Sequence, residues 1–382
     1  MIYLDNNATT PIAPEVLDAM NAVLSETYGN PSSGHSAGRA ARAVVDAARA
    51  DVAAMLGAAD PGEIVFTASG TEADNWSIFG AIEMQPVRKH IVTTTVEHEA
   101  VRKSIDLLER RGCDVTRIGV DQNGRLDLDE LRNSLRGDTA IVSVMHANNE
   151  TGILFPIREI GEIVKQHSQA LFHVDGVNAA GKAPLDLSAT NIDLYAVSAH
   201  KFYGPKGIGA LYIRDGVTLP QILIGGGQER GRRAGTEAVH QIAGMGAAAK
   251  LAASTPKEQI SKLRDRLESA ILRTVPEAYL NGTADVSVRL PNTSSISFAK
   301  TNGEMLMSRL DDRGICVSTG SACNSQGNVA SAVLQAMDVP YERAMGSIRF
   351  SVGRYNTEAE IEQLLEILPG IVGDIRAIAG IY

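Results

Sequence analysis

Cysteine is scarce in this chain of 382 residues, with Cys113, Cys316 and Cys323 the only three. Three unevenly spaced thiols exclude a disulfide framework and a cysteine-cluster metal site. Positive charge is also short, 36 Lys and Arg against 45 Asp and Glu, for a formal net charge of −9. A general nucleic-acid binder or membrane-surface protein needs a basic face, so this balance argues against both. No apolar run approaches the roughly 20 residues that span a bilayer. The opening MIYLDNNATTP has neither a basic start nor a signal-like apolar core, and a reducing, cytoplasmic setting is expected.

What is present is the composition of a globular protein, 44% hydrophobic and 21% charged. At about 150 residues per domain, the length points to two domains. Residues 14–27 and 37–56 carry apolar side chains at helical spacing, each followed by a glycine stop, Gly29 and Gly57. Short β-branched runs follow: EIVFTA (63–68), HIVTTT (90–95), TAIVSVMH (139–146) and ALFHVD (170–175), with helical patterns between them. Strands buried on both faces and separated by helices predict a mainly parallel α/β sheet. Beyond about residue 250 the character changes. A charged helix over 256–274, strand-like SSISFA (294–299), a helix near 303–313, strand-like ICVST (315–319) and GSIRFSV (346–352), and a helix from Thr357 predict a smaller α+β domain. The expected division is a large domain over 15–255, with 1–14 and 256–382 forming the small one.

Ligands of open α/β sheets bind outside the carboxyl ends of the strands, and four such places carry chemistry. In FTASGTEADN (66–75), a helix start with the Thr71 hydroxyl makes a phosphate cup, unless the segment is an ordinary capped helix. HVDG (173–176) ends a strand in Asp175, which either starts a turn or holds a cationic ring nitrogen. SAHKFYGPKG (198–207) sets Ser198, His200 and Lys201 in a Gly/Pro-bounded turn after a buried run. Lys201 is then a solvated surface lysine or a Schiff-base amine. STGSACNSQGN (318–328) places Cys323 among Gly, Ser and Asn, where a thiol is accessible and reactive; Cys316, between Ile315 and Val317, reads as a core residue. A phosphate cup, a pyridinium partner and an amine together are what pyridoxal 5′-phosphate requires.

The chain resembles the cysteine desulfurases of the class V aminotransferase family, of the nitrogen-fixation and iron–sulfur-cluster type. The resemblance runs from YLDNNATTP (3–11) through GNPSSGHSAG, FTASGTEADN, TVEHEAV, HANNETG, SAHKFYGPKGIG, GGGQERGRRAGTE and STGSACNS to RFSVGRYNT (349–357). It implies a fold-type I transferase with a seven-stranded, mainly parallel sheet and a smaller α+β domain. It also implies conversion of L-cysteine to L-alanine with the sulfur parked on Cys323. By the same resemblance, Lys201 binds pyridoxal 5′-phosphate covalently, Asp175 pairs with its ring nitrogen, and His98 stacks on the ring and moves protons. Asn149 and Asn178 contact the cofactor's phenolic side or the substrate, and Arg354 pairs with the substrate carboxylate. Gly70, Thr71, Ser198 and His200 hold the phosphate, joined by Thr236 from the second chain of a homodimer.

A sulfur-acceptor or scaffold protein is the implied partner; direct nucleic-acid and membrane contacts are not. No resident metal is expected, with Cys323 a transient iron–sulfur ligand at most. A selenocysteine lyase or another class V enzyme is the alternative. One residue departs from the family pattern: Asn178 in DGVN stands where Gln is usual, and is one methylene shorter.

Overall fold

The computed structural model describes residues 1–319 and 330–379. Strands are numbered in chain order. β1 (Ile2–Tyr3) is followed by seven that form one sheet: β2 (Ile64–Thr67), β3 (His90–Thr94), β4 (Asp114–Ile118), β5 (Thr139–Met145), β6 (Leu171–Asp175), β7 (Leu194–Ser198) and β8 (Gly209–Ile213). Their spatial order is β2-β8-β7-β6-β5-β3-β4. β4, β3, β5, β6 and β7 are parallel, and β8 runs antiparallel to both β7 and β2. The mainly parallel seven-stranded sheet expected from the sequence is therefore present.

The interior strands are buried at every position, which is why they read as unbroken apolar runs. β4 is at the sheet edge and mostly half-exposed, so its sequence, DVTRI, gives no such signal.

Apolar cores cover both faces of this sheet. On one, Val142, Val144, Phe172 and Val174 pack with the helices Ser36–Leu56 and Val239–Ala253; on the other, Ile141, Leu171 and Leu194 pack with the helices Gly70–Met84 and Glu99–Arg110. A second, antiparallel sheet contains β9 (Ala278–Leu280), β10 (Thr293–Phe298) and β12 (Ser347–Ser351), in the order β12-β10-β9. It packs with helices Lys257–Thr274, Gly303–Asp311 and Glu358–Ala379 around a separate apolar cluster that includes Leu4 and Ile2. β11 (Ile315–Cys316) is shorter than the expected 315–319 and pairs in parallel with β1.

The segment 225–237 is pinned by one buried ion pair. Arg49, from the helix Ser36–Leu56, gives Nη1 and Nη2 to the two carboxylate oxygens of Glu229 at 2.7 and 2.8 Å. The Phe66 N–H also donates to Glu229 at 2.9 Å, and the guanidinium lies 4.8 Å from the Phe66 ring centre. Glu229 and Arg230 adopt left-handed backbone angles (φ 49° and 58°), which cost energy for non-glycine residues and persist because the carboxylate is held. Both partners are 3% exposed. Glu229→Ala leaves Arg49 buried and unpaired and should cost about 3–5 kcal/mol in urea unfolding; a loss below about 1 kcal/mol would contradict this account of the segment.

Candidate active site

The carboxyl ends of β5, β6 and β7 converge on a cavity of about 160 Å³. β6 delivers Asp175, 4% exposed, whose Oδ1 accepts the Val177 N–H at 2.9 Å. Gly176 is required by its neighbour, since a Cβ there would fall 2.0 Å from the Tyr195 ring. Burial pushes the Asp175 carboxyl upward, while His98 and Lys201 pull it back. β7 delivers Ser198, and the turn Ala199–Lys201 follows. Lys201 Nζ donates to the carbonyls of Asn7 at 2.5 Å and Ala8 at 3.1 Å. Burial and three lysines, Lys201, Lys206 and Lys182, push His200 down to about 4, so its ring is neutral.

The helix Gly70–Met84 starts at the cavity wall, with Ser69 as its cap accepting from the Glu72 N–H at 3.1 Å. A Cβ at Gly70 would sit 2.5 Å from Val177 Cγ2, so only glycine lets the helix start come this close. After β5, Asn148 ties a turn through its Oδ1, accepting from Glu150 N, Thr151 N and Thr151 Oγ1. That turn presents Asn149 to the cavity. His98 caps the helix Glu99–Arg110, with Nδ1 accepting the Ala100 N–H at 3.2 Å, which leaves Nε2 as the protonated nitrogen.

Gly70, Thr71, His98, Asn149, Asp175, Asn178, Ser198, His200 and Lys201 thus all line one cavity. An adjoining cavity of about 420 Å³ shares His98, Asn149 and Lys201 and is lined also by Arg349 and Ser318. Two expected residues lie elsewhere. Thr236 is exposed and lines neither cavity in the single chain. Arg354 also lines neither. Its guanidinium sits beside Tyr203 and Tyr355, 5.8 and 5.9 Å from their ring centres, and the Arg354 backbone N–H donates to the Tyr203 hydroxyl at 2.6 Å.

The arginine that does reach the site is Arg349 on β12, 6% exposed, donating to Asp5 Oδ1 at 2.7 Å and to the Asn149 carbonyl at 3.0 Å. Its signal in the sequence is a charge between Ile348 and Phe350 in an apolar strand. Cys323 lies outside the described residues. Burial pushes the thiols of Cys113 and Cys316 upward, away from the reactive thiolate.

Two buried carboxyls beside the site escaped sequence reasoning. Asp74 is 1% exposed and lines the cavity; burial, then Asp175 and Glu97, drive it well above the carboxylate range. His173 Nε2 is 3.3 Å from Asp74 Oδ1 but off hydrogen-bond geometry, and burial holds that imidazole down to about 3. Glu97 is pushed up to about 8 by burial, with Oε1 accepting from Thr94 Oγ1 at 2.7 Å and Met145 N at 3.0 Å. Of the three acids, Asp175 is the one that a neighbouring amine, Lys201, draws back down, which favours the negative charge there over Asp74 and Glu97.

The family described as aminotransferase class-V matches residues 2–364. The chain belongs to that family. Among its relatives, the cysteine desulfurase of Trichormus azollae is 51% identical over 382 residues, covering 99% of this chain and 94% of that one. Cysteine desulfurase IscS of Methanosarcina thermophila is 46% identical, covering 98% and 93%. A solved NifS-like protein superposes with a TM-score of 0.91 at 38% identity over 98% and 99% of the two chains. A structure described as SspA in complex with cysteine gives 0.83 at 32% identity over 94% and 100%.

The cofactor of class V aminotransferases is pyridoxal 5′-phosphate, and the cavity fits it. A helix start that only glycine permits suits the phosphate, a buried carboxylate suits the ring nitrogen, and a lysine amine stands at the same cavity. Among the described residues, no group of three His, Cys, Asp or Glu is arranged to hold a metal ion, and no helix is long and apolar enough to cross a membrane.

The raised Glu97 carboxyl has a pH signature. Native Glu97 keeps a proton that the unfolded chain gives up above about 4.5, so its contribution falls as pH rises from 4.5 to about 8. Glu97→Gln mimics the neutral acid and should gain stability relative to the parent across that window, by up to about 1.4 kcal/mol per pH unit. Urea unfolding of both proteins at mildly acidic and mildly alkaline pH checks this; a difference independent of pH would contradict it.

Proposed function

We propose that this chain is a pyridoxal-phosphate-dependent cysteine desulfurase that takes sulfur from L-cysteine, releases L-alanine and supplies the sulfur for iron–sulfur cluster assembly. The observation that carries the proposal is the meeting of Asp175, Lys201 and the glycine-started helix in one cavity. The bound cofactor supplies an electron sink for the carbanion formed at the substrate Cα.

The protein's residues supply the rest. Gly70, Thr71, Ser198 and His200 hold the phosphate. Asp175 holds the proton on the ring nitrogen, Asn178 offers its amide to the phenolic side, and His98 covers the ring. Lys201 binds the cofactor covalently and moves the proton at the substrate Cα. Asn149 and Arg349 orient the substrate, with Arg349 taking the carboxylate in place of the expected Arg354. A guanidinium already fixed by Asp5 and the Asn149 carbonyl loses little freedom on binding an anion. Glu97 and Asp74, held neutral, add no charge that would repel that anion.

Cys323 then attacks the substrate sulfur as a thiolate. The Cys323 S–S bond forms, the substrate Cβ–S bond breaks with its electron pair remaining on Cβ, and a proton delivered there completes alanine. The raised thiols of Cys113 and Cys316 support Cys323 as the nucleophile by contrast.

The working form is a homodimer in a reducing cytoplasm, with Thr236 of each chain completing the other's phosphate site. Leu17, Leu24, Leu223 and Ile224 are exposed apolar side chains that a second chain would cover. A sulfur-accepting protein takes the persulfide.

Incubation of the loaded protein with L-cysteine should yield alanine and, with a reducing thiol present, an equal amount of sulfide. Cys323→Ser should keep the cofactor and yield neither; full activity in that variant would overturn the thiol assignment. Arg349→Ala should raise the KM for L-cysteine about 10- to 100-fold, the loss of a charged hydrogen-bonded pair. Arg354→Ala should leave KM within about threefold and act on thermal stability, and the reverse ranking would restore the carboxylate role to Arg354.

A further inference from the structure

The segment after β6 holds a second amine close to the site. Lys182 Nζ donates to Asn178 Oδ1 at 3.0 Å and to Asn7 Oδ1 at 3.3 Å. Asn178 lines the cavity, and Asn7 is the residue whose carbonyl receives Lys201 Nζ. Lys182 is therefore one hydrogen bond from the cofactor-facing amide and from the residue that cradles the Schiff-base lysine.

The donor pattern fixes both amides. Asn178 Nδ2 points to the Asn148 carbonyl at 3.4 Å, and a carbonyl only accepts. Asn7 Nδ2 donates to Thr293 Oγ1 at 2.8 Å and to the Asn149 carbonyl at 3.2 Å, so Asn7 Oδ1 is the end that meets Lys182. Lys182 must then donate to two amide oxygens at once, which an amine can do whether charged or neutral. Burial, with Lys201 and Arg349 nearby, pushes the pKa of this amine well below the usual lysine value. With Oδ1 occupied by Lys182 and one N–H directed to Asn148, the second N–H of Asn178 is what this side chain can offer to the cavity.

We propose that Lys182 is a positioning residue that locks the Asn178 amide with its nitrogen toward the cavity, as a hydrogen-bond donor to the phenolic oxygen of the bound cofactor. The inference rests on the proposed cofactor and deepens it. It also accounts for the short Asn at this position. A side chain one methylene shorter than Gln has less reach, but an amide held at both ends needs no further ordering to donate.

The test is a pH titration of the visible absorption of the pyridoxal-phosphate-loaded protein. A donor to the phenolic oxygen favours its ionised form, so losing that donor raises the apparent pKa of the lysine-bound cofactor. Lys182→Met should raise it by about one unit, the worth of one hydrogen bond. Lys206→Met, which removes an exposed lysine charge outside the Asn178 contact, should leave it within about 0.3 unit of the parent. Asn178→Ala should raise it alone, and adding Lys182→Met should raise it no further. Lys182→Arg keeps the donors and should lie within about half a unit of the parent, a check that holds if the Met variant folds poorly.

An unchanged pKa in Lys182→Met overturns the proposal. So does an undiminished shift in the Asn178→Ala background, which would mean that Lys182 acts through its charge and not through the amide. A parent protein with no visible band would instead remove the cofactor assignment itself.

Discussion

The amine of Lys201 rests on the carbonyls of Asn7 and Ala8, and much of the site follows from that contact. The two carbonyls belong to a segment that starts in the parallel pairing of β1 with β11. Ile2 and Tyr3 pair with Ile315 and Cys316, Asn6 Nδ2 donates to the Ser351 carbonyl at 2.8 Å, and Asn7 N–H donates to Ser351 Oγ at 2.9 Å. Three residues later the Thr10 N–H donates to the His200 carbonyl at 2.9 Å. The first ten residues therefore tie the strand carrying Arg349 to the turn carrying Lys201. Asn7 makes the link specific, since its side chain also receives Lys182 and donates toward Asn149. An amine, a guanidinium and two amides from separate parts of the chain are thus held around two adjoining cavities by a short extended segment.

Charge at the cavity floor is set by burial and by which acids have cations nearby. Asp74, Glu97 and Asp175 are all desolvated, and three buried negative charges acting on one another would be prohibitive. Lys201 acts on Asp175 and on neither of the others, which favours the negative charge there. Burial drives the carboxyls of the other two upward, toward the neutral acid. Under the proposed function, Asp175 at the ring-nitrogen end and Arg349 at the substrate end would give the site a polarity suited to a cationic ring and an anionic amino acid.

Strand-end chemistry was legible because a parallel sheet puts its ligands at the carboxyl ends of buried runs. HVDG, SAHK and the Ser-Gly-Thr turn each announce such an end, and the nine residues drawn from these and the neighbouring motifs meet in one place. Edge and antiparallel strands were less legible. β4 is too polar to stand out, and the reversed direction of β8 depends on its pairing with both β2 and β7. Arg354 and Arg349 lie five residues apart in one motif, and periodicity alone does not say which enters the cavity. β12 settles their positions by burying Arg349 beside Asn149, while Tyr203 and Tyr355 take Arg354. Asn7, Lys182, Asp74 and Glu97 were silent because their roles arise from contacts between distant parts of the chain. Cys323 lies outside the described residues, and its assignment rests on the sequence around it.

The central claim is that the contact between the N-terminal segment and the β7 turn makes Lys201 the amine that binds the cofactor. Borohydride reduction of the loaded protein, followed by peptide mapping with mass spectrometry, tests it most directly. The account predicts one pyridoxyl group per chain, on Lys201. Label on Lys182 or Lys206, with Lys201 unmodified, would contradict it.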